Sequence, residues 1–228
     1  MNQNNLEKTI EYPFNDKALL KQAMTHRSYI NENPSWGISN NERMEFLGDA
    51  VLELCVTEEL FNRYPDEAEG KLTSLRAALV NYQILAAIAR DEIHLEEFIL
   101  LSRGEAKDNG RAREVILANA MEALIGAIYL DSNYISAKTF VNKFITPNLE
   151  QVIRHGLDKD AKSSLQEKVQ AKLKLTPTYR MLDEKGPEHE KTFRVGVYFG
   201  DKFITDGEGL SKQEAELEAA KKALESNH

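Results

Sequence analysis

The sequence predicts a two-domain chain: an all-α domain over residues 1–154, then a smaller α+β domain over residues 161–228, with a linker at 155–160. Three observations carry this. Apolar residues recur at helical spacing in segment after segment up to residue 154. The stretch His155-Gly156-Leu157-Asp158-Lys159-Asp160 is short, polar and glycine-containing. Beyond it the period changes from about 3.6 to 2, with Phe193, Val195, Val197 and Phe199 alternating.

Taken in order, residues 5–36 open with a helical pattern (Leu19, Leu20, Ala23, Met24) and continue into THRSYINENPSWG, a polar stretch that reads as loop. Asn41 to Leu60 reads as a packed helix whose apolar positions are Met44, Leu47, Val51, Leu54 and Cys55. Ser39 and Glu42 have the spacing of a capping box at its start. Pro65 and Gly70 end it, and one long amphipathic helix is expected from Lys71 to Arg90. A polar loop, SRGEAKDNGRARE, carries Arg103, Lys107, Arg111 and Arg113 and reads either as solvated surface or as a phosphate-contacting loop. Val115 to Leu130 is apolar on most faces and should be central; Ala137 to Ile153 closes the domain.

In the second domain the pattern gives a Lys-rich helix (Ser163 to Leu173) and three strands, near Thr178 to Glu184, Lys191 to Phe199 and Lys202 to Thr205. A last helix is opened by the capping box Ser211–Glu214.

Composition excludes several classes. Apolar content of 42% and charged content of 29% suit a folded globular chain rather than a disordered one. One cysteine, Cys55, cannot form an intrachain disulfide, the N-terminus lacks a signal-peptide pattern, and no apolar run is long enough to span a bilayer. The expectation is a soluble cytoplasmic protein with no membrane partner. The net charge of −8 is concentrated in residues 1–155, with 16 Lys+Arg against 23 Asp+Glu; residues 156–228 carry 13 against 14. Charge alone therefore does not point to nucleic acid.

The acidic excess has a pattern. Glu42, Glu45 and Asp49 stand at i, i+3 and i+7, which at ~100° per residue places them within roughly 60° on one helical face. Like charges so arranged repel unless a cation joins them, so the cluster is either a solvated stripe or a metal site. Asn119 and Glu122 form a polar pair on the otherwise apolar 115–130 helix, and a buried Glu is costly unless paired or metal-bound. Glu122 is expected to meet the acidic face of the 41–60 helix. A redox di-metal bundle would need Glu-x-x-His pairs on two helices, whereas the chain offers that spacing only at Glu225–His228.

NERMEFLGDA (41–50) resembles the signature motif of the ribonuclease III family, and ILANAMEALIGAIYLD (116–131) resembles its second acidic motif. The THRSY segment and EGKLTSLRAALV (69–80) are similar to further family blocks. The α-β-β-β-α order of the last ~68 residues resembles a double-stranded RNA-binding domain, with matches at KSSLQEKVQ, GPEHEK and GEGLSKQEAE. The resemblance implies an all-α ribonuclease III endonuclease domain followed by a duplex-RNA-binding domain.

It also implies a Mg²⁺-dependent hydrolase for double-stranded RNA, with Mn²⁺ able to substitute and no small-molecule cofactor. Such an enzyme leaves 5′-phosphate and 3′-hydroxyl ends with short 3′ overhangs, and acts on rRNA and mRNA precursors. Metal ligands would be Glu45, Asp49, Asn119 and Glu122; the catalytic residues would be Asp49, Glu122 and Glu42, with Glu69 a weaker candidate. RNA would meet Ser163, Gln166, Glu167, His189, Lys191, Ser211, Lys212 and Gln213. A homodimer would be expected with Phe46 at its contact, although a buried core aromatic is the bland reading of Phe46. The chain departs from the family at Asn119, where Asp is usual, and at Gln213, where a second Lys is usual. Because of Asn119, the alternative is a catalytically inactive duplex-RNA binding or assembly protein.

Overall fold

The computed structural model describes residues 3–107, 110–154, 161–186 and 191–226. The chain divides into two compact units, residues 1–158 and 159–228. The linker 155–160 and His189 lie outside the described residues.

The first unit is all helical. It contains α1 (Gln3–Ile10), α2 (Lys17–Ala23), α3 (Arg27–Glu32), α4 (Glu42–Arg63), α5 (Glu69–Leu79), α6 (Tyr82–Asp91), α7 (Arg111–Asp131), α8 (Tyr134–Phe144) and α9 (Leu149–Arg154). Short 3₁₀ turns occur at Leu95–Glu97, Glu105–Lys107 and Thr146–Asn148. Helix α7 is the axis of the unit: from Ile116 to Ile128 only Asn119 and Glu122 are not buried. It is packed by α4, α6, α2 and α8, with α4 its principal neighbour. Its C-terminal Asp131 ties the N-terminal segment down, accepting from the Asn15 and Asp16 amides at 3.0 and 2.7 Å and from the Tyr12 hydroxyl at 2.8 Å.

Four local expectations are corrected. The single helix expected over 71–90 is two, bent by 43°, because the Asn81 side chain accepts from Ile84 N–H at 2.9 Å and starts α6 afresh. The THRSY loop contains a helical turn and a half, α3, capped by His26. The helix expected over 137–153 breaks at Thr146–Asn148, where Pro147 opens a 3₁₀ turn. The Ser39–Glu42 capping box does not form: Asn41 occupies the cap position of α4 without a side-chain cap bond, and its amide turns inward to the Ala23 carbonyl at 3.2 Å.

The second unit runs α10 (Ala161–Leu173), β1 (Pro177–Lys185), β2 (Thr192–Phe199), β3 (Lys202–Gly209) and α11 (Lys212–Glu225). Its strands form one antiparallel sheet in the order β1-β2-β3. The alternation in β2 buries Val195, Val197 and Phe199; Val197 and Phe199 pack with Leu165, Val169, Ala219, Ala220 and Ala223 of the two helices. At the start of α11 the cap expected at Ser211 forms, with Glu214 N–H donating to Ser211 Oγ at 3.1 Å, while the Glu214 carboxylate accepts from Leu210 N–H, one residue before the cap, at 2.9 Å. Among the described residues no single helix is long and apolar enough to cross a membrane.

Candidate active site

The acidic residues are brought together by a close crossing of two helices. A Cβ added to Gly48 of α4 would lie 1.8 Å from the backbone oxygen of Glu122, and one added to Gly126 of α7 would lie 2.3 Å from that of Met44. Only hydrogen fits at either place, so the backbones touch. Each interior glycine costs its helix roughly 1 kcal/mol relative to alanine, which the packed crossing offsets. Glu45 and Asp49 flank Gly48, and Glu122 stands one turn before Gly126, so the contact sets the three carboxylates beside one another. Sequence reasoning missed both glycines. The signal for them was there, since a glycine inside a strong helical pattern marks a close approach.

The crossing also sets the electrostatics of these groups. The half-buried Glu122 carboxyl is pushed up to about 8, by burial first and then by Asp49 and Glu45. Glu45 is also raised, by burial and by Glu42, while a hydrogen bond from the Asn119 side chain opposes the shift. Glu42 is exposed at the rim, 3.5 Å from the Arg27 guanidinium. Thus Glu45, Asp49, Asn119 and Glu122 form one oxygen-rich group with Glu42 at its edge.

The donor set suits a hard divalent cation. Among the described residues no three His, Cys, Asp or Glu side chains form a group that could hold a metal ion as they stand. Carboxylate and amide oxygens are the donors that Mg²⁺ takes, a few at a time, with several waters retained. An Asn carbonyl can serve in such a set, though it adds no charge.

Other expected residues fall elsewhere. Glu69 is on α5, accepting from Thr73 Oγ1 at 3.2 Å and lining a groove with Thr57, Phe61 and Arg76. Phe46 is not a core aromatic: it is 82% exposed on α4, and Leu54 and Phe61 continue the exposed apolar stripe along that helix. Arg103 and Lys107 lie exposed on a loop, whereas Arg111 and Arg113 are in the first turn of α7, with Arg111 over the Tyr82 ring at 5.7 Å.

In the second unit, Ser163, Gln166 and Glu167 share the exposed face of α10, opposite buried Leu165 and Val169. Lys191 pairs with Glu184 at 2.6 Å. Ser211, Lys212 and Gln213 stand exposed at the start of α11, where free amides favour an anion.

Comparison with known proteins agrees with both units. Residues 16–149 match the family described as ribonuclease-III-like, and residues 161–227 match the double-stranded RNA binding motif. The chain is 47% identical over 211 residues to ribonuclease 3 of Borreliella afzelii, covering 92% of this chain and 85% of the relative. It is 46% identical over 220 residues to ribonuclease 3 of Carboxydothermus hydrogenoformans, covering 96% and 93%. A solved structure of the nuclease domain of ribonuclease III from Campylobacter jejuni, reported for structural flexibility in a region involved in dimer formation, is 45% identical. It aligns with a TM-score of 0.58 and covers 64% of this chain and 98% of that one. With both units matched in the same order along nearly the whole length, the chain belongs to the ribonuclease III family, the endoribonucleases that cut double-stranded RNA.

Proposed function

We propose that the nuclease unit hydrolyses duplex RNA with Mg²⁺ held by Glu45, Asp49, Asn119 and Glu122, and that Mn²⁺ can replace it. The observation that carries this is the Gly48–Gly126 crossing, which sets Glu45 and Asp49 beside a Glu122 whose carboxyl burial and its neighbours push up to about 8. When bound, such metal supplies Lewis acidity and an activated water for phosphodiester hydrolysis. The protein's own part is to keep three carboxylates at a rigid crossing. Asn119 donates to Glu45 and so favours its ionised form. Glu42, paired with Arg27, holds negative charge at the rim. Arg103 and Lys107 supply cationic side chains for phosphate on the neighbouring loop.

The second unit supplies duplex affinity. Ser163, Gln166 and Glu167 suit 2′-hydroxyls and base edges of a minor groove, and the family resemblance adds His189 and Lys191; Ser211, Lys212 and Gln213 suit phosphate. The exposed stripe Phe46, Leu54 and Phe61 supports a homodimer through α4, since monomers seldom leave such a line of large apolar groups in water. Products would carry 5′-phosphate and 3′-hydroxyl ends with short 3′ overhangs, from rRNA and mRNA precursors in the cytoplasm. The units would be bounded near 154 and 161.

The test is incubation of a long duplex RNA with the purified chain, followed by product sizing and end-group analysis. Short 5′-phosphorylated products in Mg²⁺, lost in Glu122→Ala while RNA binding persists, support the reading. Undiminished cutting by Glu122→Ala contradicts the site assignment. Binding without cutting by the natural chain favours the inactive binding protein that Asn119 raises.

A further inference from the structure

The stretch from Ala23 to Ser28 is hydrogen-bonded on two sides. Towards α4, the Thr25 carbonyl accepts from Asn41 N–H at 2.9 Å and the Ala23 carbonyl from the Asn41 amide at 3.2 Å. Towards the segment after residue 99, Leu100 N–H donates to the Met24 carbonyl at 2.8 Å and His26 N–H to the Leu100 carbonyl at 3.1 Å. A parallel bridge joins Thr25 and Leu100. One strap therefore holds both the start of α4, with Glu42 and Glu45, and the root of the loop that carries Arg103 and Lys107.

Side chains extend the strap into the loop. Ser28 Oγ accepts from Ser102 N–H at 3.0 Å and lies 2.8 Å from His26 Nδ1, which also accepts from Ser28 N–H at 3.3 Å. The roles follow from the donors present: Nδ1 receives an amide N–H, so it carries no proton, and the Ser28 hydroxyl must donate to it. Beyond the clasp, Ser102 Oγ accepts from Glu105 N–H at 3.2 Å, opening the 3₁₀ turn Glu105–Lys107, and the Glu32 carboxylate accepts from Arg103 N–H at 3.1 Å. The backbone bridge at Leu100 holds the strap without help from the Ser28 hydroxyl. What that hydroxyl adds is the placement of Ser102 and the turn after it.

We infer that His26 and Ser28 are positioning residues for the RNA duplex: their clasp on Ser102 fixes the loop so that Arg103 and Lys107 meet phosphates beside the bond cut at the α4–α7 carboxylates. This deepens the proposed function and rests on it. The hydroxyl acts through the loop, so its loss is felt in substrate capture more than in the chemical step. It should also matter only while the loop has a cation to place.

The experiment uses the full chain with Ser28→Ala, Ser28→Thr, the Arg103→Ala/Lys107→Ala pair, and that pair combined with Ser28→Ala. It measures kcat and KM on a long duplex in Mg²⁺, and RNA affinity in EDTA. Loss of one such hydrogen bond predicts a rise in KM of about 3- to 10-fold for Ser28→Ala, with a smaller change in kcat. Ser28→Thr, which keeps the hydroxyl, should return KM to within about 2-fold. The triple variant should be no worse than the Arg103→Ala/Lys107→Ala pair, because the hydroxyl acts only through those two cations. An unchanged KM in Ser28→Ala overturns the inference, and so does an effect of Ser28→Ala that persists undiminished in the background lacking both cations. A natural chain that does not cut refutes the proposed function instead. The affinities in EDTA then judge the clasp by the same ratios.

Discussion

Replacing Glu122 by Gln should make the metal-free nuclease unit more stable at alkaline pH and remove much of its pH dependence. In the folded chain the Glu122 carboxyl titrates at about 8, against an ordinary 4.5, because burial and the nearby Asp49 and Glu45 disfavour its charge. Between those values the folded state holds a proton that the unfolded chain has released. The folded state is therefore favoured at low pH and progressively loses stability as pH rises from about 4.5 to about 8, with no further change above. At about 1.36 kcal/mol per pH unit the gap bounds the effect near 5 kcal/mol, and the partial access of this side chain to water brings the expected value to about 2–3 kcal/mol. Trp36, the one tryptophan, meets Tyr29 edge-to-face and lies beneath Lys21 in the first unit, so its fluorescence follows that unit alone. Urea unfolding in EDTA at pH 5, 6.5, 8 and 9 should show the natural chain losing about 2–3 kcal/mol relative to Glu122→Gln across the range. Parallel curves within about 0.5 kcal/mol would refute the coupling of the three carboxylates.

Further outcomes follow from the same geometry. Gly126→Ala places a methyl 2.3 Å from the Met44 backbone oxygen, and should destabilise the first unit by about 3 kcal/mol or separate α4 from α7, read as a lower Tm and lost cleavage. Phe46→Glu, at an 82% exposed position, should leave the fold intact and shift sedimentation towards the monomer. Asn119→Asp should tighten Mg²⁺ binding by calorimetry several-fold, since it adds a charged oxygen to the set. Lys212→Ala should weaken duplex binding and reduce the slope of log affinity against log salt by about 1.

Much of this was legible in the residues. The acidic triplet at i, i+3 and i+7 and the polar pair on an apolar helix pointed to the side chains that the α4–α7 crossing brings together, because helical spacing alone decides which side chains share a face. The alternation of Phe193 to Phe199 located the sheet in the same way. Some helix boundaries were not legible. Val80 and Asn81 look helical until the Asn81 side chain is seen to cap α6. Asn41 has the chemistry of a helix cap, yet its amide is spent on Ala23 across the fold. Phe46 is a large aromatic on a packed helix and reads as core, but its exposure is decided by which face α7 covers. The two glycines carried a signal in their own sequence positions, whereas the Ser28–Ser102 clasp joins residues 74 apart and leaves no local trace.

The central claim is that these carboxylates cut duplex RNA only with a divalent cation, in the presence of Asn119. Its most direct test is the rate of duplex cleavage by the natural chain as Mg²⁺ is raised from zero in chelator-treated buffer. The account predicts no product without metal, a saturable rise with Mg²⁺, and no rise for Glu122→Gln. Cleavage that persists without divalent metal, or that saturates equally in Glu122→Gln, would contradict it.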